Sequence, residues 1–197
     1  MNSFKRVSLA VVSLAPMLLG VGGIQAAKKS TAICANRTAT IVTSSAVIYG
    51  TESNDVIVVT GTGSHTVQAL GGDDIICGGN AEDIIYGGHG NDRIDGRGGN
   101  DVLSGDLDDD VILGSNGDDA ITGGDGRDYL FGMNGGDNIS GDIGDDVIFG
   151  GNGSDDLAGG AGSDLVVGGE GDDNITEEAG VDIVFDLDPL GFTYRSK

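Results

Sequence analysis

Gly87-Gly88-His89-Gly90-Asn91-Asp92-Arg93-Ile94-Asp95 is the stretch that decides the fold. It follows the pattern G-G-x-G-x-D-x-U-x, where U is a large aliphatic residue. The pattern runs without a slip from Ala69 to Phe185, as thirteen units of nine residues. A fixed short period over most of a chain marks a repeat architecture, in which each unit contacts only its neighbours. Position 6 is aspartate in every unit, and position 8 is aliphatic in every unit, from Ile76 to Val184. Position 4 is glycine except at Ala81 and Asp108.

Each unit divides into two halves. The glycine-rich first half can turn sharply, because glycine tolerates positive φ. The last three residues, such as Val147-Ile148-Phe149, favour a short strand. Side chains alternate faces along a strand, so position 8 points inward and positions 7 and 9 point outward. Position 6 shares the inward side but lies at the edge of the turn. Two turns close one coil, so a coil takes two units, or eighteen residues. Coils stacked at the strand spacing of about 4.8 Å make a rod roughly 30 Å long. The fold class is therefore all-β, a solenoid with a thin aliphatic core.

These residues resemble the RTX family of calcium-binding repeats, also called hemolysin-type. The resemblance spans 117 of the 197 residues. It implies a right-handed parallel β-roll, two repeats per coil, with Ca²⁺ held between successive turns by aspartate carboxylates and backbone carbonyls. Calcium suits such a donor set, since it takes six to eight oxygens in flexible geometry. Carried onto this chain, one edge stacks Asp74, Asp92, Asp110, Asp128, Asp146, Asp164 and Asp182. The other stacks Asp83, Asp101, Asp119, Asp137, Asp155 and Asp173. The gaps within the two columns allow at most eleven ions. The gaps beside Ala81 and Asp108 are the weakest, because the turn glycine is missing there. Without a cation, a column of like charges would repel itself.

Composition agrees. The chain has 38 glycines, two prolines, no tryptophan and a net charge of −22. Few prolines and no G-X-Y period exclude collagen. Such acidity excludes nucleic acid and anionic membranes as natural partners and favours cations. Lys5-Arg6, the apolar run Val7–Val21 and small residues ending at Ala26 read as a cleaved signal peptide, residues 1–26. The run is too short and too interrupted, by Ser13 and Pro16, for a comfortable membrane span. A mature chain from Ala27 would carry −24. Export places Cys34 and Cys77 in an oxidising compartment, which favours a disulfide over two free buried thiols. Residues 27–68 read as an N-terminal cap of degenerate repeats. Asp55 and Ile57 are in phase there, His65 stands where aspartate is expected, and Val59 is a one-residue insertion. The roll then covers 69–185, and a C-terminal cap 186–197.

The outward residues differ between the two sheets. Odd units present Val111 and Leu113, Tyr129 and Phe131, Val147 and Phe149, Leu165 and Val167, then Ile183 and Phe185. Even units from Val102 onward present mostly small and polar residues. A contiguous apolar face often marks an interaction site, so the face with Phe131, Phe149, Val167 and Phe185 is a candidate surface for a protein partner or self-association. Strand propensity alone would also favour such residues.

Three function classes follow. The first is a secreted calcium-binding repeat protein that folds on Ca²⁺ outside the cell and serves as a structural, adhesive or interaction module. The second is an accessory module of a toxin or polysaccharide-acting enzyme system. The chain has no H-E-x-x-H and no G-x-S-x-G, and only two histidines, His65 and His89, so no catalytic residue is expected. The third is an ice-binding protein, for which Thr122 and Thr176 form no regular column.

Overall fold

The structure is a computed structural model that describes residues 33–176, 179–180, 183–186 and 193–196. The signal peptide, Asp182 and most of the expected C-terminal cap lie outside the described residues. The described chain is all strand, and it winds into a parallel β-solenoid of about eight turns. Two ten-stranded sheets face each other across one core. From strand Ile41–Thr43 to strand Val147–Asn152 consecutive strands fall in opposite sheets, so each pairs with the next but one along the chain, while Ile183–Asp186 pairs antiparallel with Thr193–Ser196 at the C-terminal end.

The register follows the eighteen-residue coil. Val102 pairs with Ala120, Ala120 with Asn138, and Asn138 with Asp156 on one sheet. Val111 pairs with Tyr129, then Val147, then Leu165 on the other. The N-terminal coils depart from this step. Val47 pairs with Thr66, and Val56 with Ile75, each nineteen residues on. Val59, at the end of strand Val56–Val59, accommodates the extra residue and turns into the core at 3% exposure.

Position 8 fills the interior. Ile76, Ile85, Ile94, Leu103, Ile112, Ile121, Leu130, Ile139, Ile148, Leu157 and Val166 are all buried in one continuous column. Ile48, Ile57 and Val67 extend it through the degenerate coils. Each such residue packs on those one coil above and below, which is why a fixed position must be aliphatic in every unit.

In the central coils the strands are longer than the sequence reading allows, although Ile75–Cys77, Arg93–Asp95, Asp156–Ala158 and Asn174–Thr176 keep three residues. Val111–Asn116 and Ala120–Asp125 each hold six residues, positions 7 to 9 of one unit and 1 to 3 of the next. The turn is thus confined to positions 4 to 6. Stacking in perfect register lets the backbone ladder continue into the glycine half: Gly96 N–H donates to the Leu113 carbonyl at 2.9 Å, and Asn116 N–H to the Arg97 carbonyl at 3.1 Å.

The N-terminal segment covers the outside of one sheet. Strands β1 (Ile33–Cys34) and β2 (Arg37–Thr38) form an antiparallel hairpin through Ala35 and Asn36, both at positive φ. Cys34, Ala39, Val58 and Cys77 make a second small apolar cluster there. Cys34 and Cys77 are disulfide-bonded, with Cα atoms 6.0 Å apart.

Beyond the hairpin the same outer face is open. Phe131 and Phe149 stack in parallel, with ring centroids 5.4 Å apart. Arg93, Val111, Leu113, Tyr129, Phe131 and Met133 line a shallow depression. The opposite face needs a correction at its N-terminal end. It is not small and polar there, because Val47, Tyr49, Ile84, Tyr86 and Val102 are exposed on it. The sequence reading of that face began at Val102 and missed the earlier coils.

Candidate metal centre

Position 6 lies just before each strand, where its N–H has no strand partner. The carboxylate of the next coil supplies one. Asp74 N–H donates to Asp92 Oδ1 at 2.7 Å, Asp92 to Asp110 at 2.7 Å, Asp110 to Asp128 at 2.8 Å, and Asp128 to Asp146 at 2.8 Å. Asp146 N–H continues to Asp164 at 2.9 Å. The second edge repeats this from Asp83 through Asp101, Asp119, Asp137 and Asp155 to Asp173, at 2.8 to 3.0 Å. The structure thus gathers twelve of the thirteen expected aspartates into the two expected columns. It buries them more deeply than an edge position implies: Asp74 to Asp164 are each 2% exposed or less.

One oxygen of each carboxylate is thereby used. In nine of them, Asp74, Asp92, Asp101, Asp110, Asp119, Asp128, Asp137, Asp146 and Asp155, the Oδ2 atom is buried without a hydrogen-bond partner. A buried ionised oxygen without a donor costs several kcal/mol unless it neutralises or meets a cation. The acidities respond. Burial, opposed by the backbone N–H and aided by neighbouring carboxylates, raises Asp74, Asp128 and Asp137 to about 6. The same causes raise Asp92, Asp101 and Asp146 to about 7, and Asp110 to about 8. Asp119 and Asp155 are raised too, again chiefly by burial.

The sequence reading overlooked position 1. It is glycine in eleven consecutive units, Gly78 to Gly168. A Cβ on Gly105 would fall on Asp110 Oδ2 and on the Gly123 carbonyl, and one on Gly114 would fall on Asp119 Oδ2 and the Gly132 carbonyl. Two oxygens, a carboxylate from the same unit and a carbonyl from the next coil, therefore border the space over each such glycine from Gly78 to Gly150. The unbroken run of glycine was the available signal. Among the described residues no three acidic, histidine or cysteine side chains converge on one point, so carboxylates alone do not make the site. Oxygens without donors, in a polar strip beside backbone carbonyls, are the donor set a hard divalent cation takes.

A second ladder was also missed. Position 5 side chains cap the N–H of the following coil: Asp73 Oδ1 accepts from Asn91, Asn91 Oδ1 from Asp109, and Asp109 Oδ1 from Arg127, at 2.9 to 3.1 Å. It runs opposite in sense to the position 6 ladder and holds the turn from outside. The two weak slots separate. Asp108 takes a positive φ of 77° and its carboxylate accepts Gly90 N–H, so that turn survives. Beside Ala81, Asp83 is saturated by protein donors: Gly79 N–H on Oδ2, and His65 N–H and Nδ1 on Oδ1.

The model of the RTX calcium-binding nonapeptide repeat matches in overlapping blocks from residue 49 to residue 184. The chain belongs to this family. No curated protein matches it. RTX repeats bind Ca²⁺, and the buried aspartate series here fits calcium coordination. The match begins at residue 49, so RTX character reaches into the degenerate coils. It carries the all-β parallel roll and the calcium-binding module, and the described residues contain no helix long and apolar enough to cross a membrane.

Proposed function

We propose that this chain is a secreted calcium-binding protein that folds into its roll on meeting Ca²⁺ outside the cell. It acts there as a structural, adhesive or interaction module without catalytic residues. One observation carries the reading: two columns of buried carboxylates, nine of which have an oxygen that no protein donor satisfies. Protonation or a cation can relieve them, and at neutral pH a millimolar extracellular cation is the available relief. The ligands are Asp74, Asp92, Asp101, Asp110, Asp119, Asp128, Asp137, Asp146, Asp155, Asp164, Asp173 and Asp182, with carbonyls of the glycine turns; Asp83, expected among them from the sequence, is held by protein donors instead. Bound calcium would supply charge neutralisation between coils. The chain's own residues set the column, hold each Oδ1 and leave room over the position 1 glycine.

Export is supported by the N-terminal sequence and by the paired cysteines. The apolar outer face around Tyr129, Phe131 and Phe149 is the surface for a protein partner or a second copy. Calcium titration of the chain from Ala27, followed by far-UV circular dichroism with magnesium as control, tests the core of the reading. A cooperative rise in β signal, reversed by chelator and absent with magnesium, is expected. A full β signal in chelator at pH 8 would overturn it.

A further inference from the structure

The first coils differ from the rest in how they satisfy their buried carboxylates. Asp55, the in-phase aspartate of the degenerate coil, accepts Thr40 Oγ1 on Oδ1 and both Thr51 N–H and Thr51 Oγ1 on Oδ2, all at 2.9 Å. Asp83 accepts the N–H and Nδ1 of His65 on one oxygen and Gly79 N–H on the other. His65 occupies the place of the aspartate one coil earlier, and its ring is buried against Asp83 at 2.9 Å. Both columns therefore end, toward the N-terminus, on carboxylates that protein donors already satisfy. From Asp92 to Asp146 on one column and from Asp101 to Asp155 on the other the pattern changes, and the second oxygen is left to something else. Asp74 sits at the boundary, with Oδ1 bonded to Asp55 N–H and Oδ2 without a donor.

Composition changes at the same place. Residues 33–86 carry six acidic side chains and one arginine, whereas 87–176 carry 21 acidic side chains and three arginines. The first segment is rich in Val, Ile and Thr, which favour strands without help. It also holds the disulfide between Cys34 and Cys77, which closes a 43-residue separation and restricts the unfolded chain. The hairpin cluster of Cys34, Ala39, Val58 and Cys77 adds a second core outside the sheet.

We infer that residues 33–86 form a calcium-independent folding seed, whose open end is the template on which the calcium-requiring coils are laid. Thr51 and Gly79 N–H fill the second oxygens of Asp55 and Asp83, which would otherwise need a cation, while Thr40 and His65 hold the first oxygens, His65 standing where a further carboxylate would add charge. Stacked repeats propagate from any preformed neighbour, and a ready coil removes the cost of nucleating the first one. This rests on the calcium-coupled folding proposed above.

Hydrogen–deuterium exchange of the oxidised mature chain, in chelator and in calcium at pH 7.5, tests it. In chelator, amides of 41–86 should exchange at least about tenfold more slowly than those of 90–176. Calcium should then protect 90–176 as well. Equal, fast exchange of both segments in chelator, with calcium protecting both, would overturn the seed and leave calcium-coupled folding standing. Equal protection of both in chelator would overturn calcium-coupled folding, and the seed boundary with it. His65→Asp supplies a second reading. It replaces a donor by a like charge, so protection of 41–86 in chelator should fall, and calcium should restore it with one more ion bound. Unchanged protection in chelator would remove His65 from the seed.

Discussion

Each position 6 aspartate serves two neighbours, as an acceptor for the coil before and as one wall of the gap to the coil after. Asp110 shows this: its Oδ1 holds Asp92 N–H and its own N–H reaches Asp128. Asp110→Asn keeps that hydrogen bond but removes the charge. The variant should bind up to two fewer calcium ions by isothermal titration, while tolerating chelator better than the parent. Position 1 has a different sensitivity. Gly114→Ala places a Cβ on Asp119 Oδ2 and a carbonyl, and overpacking of this kind costs about 1–3 kcal/mol. Gly63→Ala meets nothing within 4 Å and should leave the melting temperature unchanged. Thermal melts of both variants in calcium check the contrast.

At the scale of the strand, the position 8 residue of each unit bears most of the core. Ile121 is 1% exposed in strand Ala120–Asp125, with Leu103 and Ile139 as its register neighbours. Ile121→Ala should destabilise the calcium-bound roll by about 2–5 kcal/mol in denaturant titration, because the neighbouring strands are tied in register and cannot close the gap. The outward side of a strand has a different role. Tyr129 is 44% exposed beside the stacked Phe131 and Phe149. If this face joins two copies, Tyr129→Lys with Phe131→Ser should leave a monomer in calcium by sedimentation velocity. A wild-type chain that stays monomeric at tens of micromolar would remove self-association from the proposal.

For the whole molecule, acidity and calcium work against each other. Burial raises seven of the columned aspartates, Asp74, Asp92, Asp101, Asp110, Asp128, Asp137 and Asp146, from 3.8 to about 6 to 8 in the metal-free roll. The folded state therefore binds more protons across that window. Its metal-free stability is fully present below about pH 4 and is lost as pH rises through 6 to 8. In chelator, the β signal should grow as pH is lowered from 8 to 5. In calcium titrations, the midpoint should move to higher calcium over the same change, because protons must leave the carboxylates before the metal enters. A midpoint that does not move with pH would show that the carboxylates are already ionised in the metal-free chain. Charge adds a further constraint. A chain of −22 repels itself when extended and empty, and the upper bound of eleven dications would cancel that charge.

The nine-residue period by itself determined the parallel roll, the two-unit coil, the aliphatic column and the paired aspartate edges. Each follows from one residue type recurring at one position, which a stacked repeat turns into a line through the molecule. The charge count likewise pointed to a cation, since like charges in a column need one. Only the tertiary structure decided which oxygens are left over. Whether an aspartate is satisfied depends on how its own turn closes as well as on the adjacent coil: Gly79 N–H, four residues back, reaches Asp83 Oδ2, while His65, eighteen residues away, reaches Oδ1, and the nine-residue pattern reports neither. Hence Asp83 reads like every other position 6 aspartate in the sequence, yet His65 and Gly79 saturate it. The position 1 glycines read as freedom to turn. Their close approach to a carboxylate and a carbonyl exists only once the coils are stacked. The strand length of six, in place of three, has the same origin: register between coils extends the ladder into residues whose own propensity is for a turn.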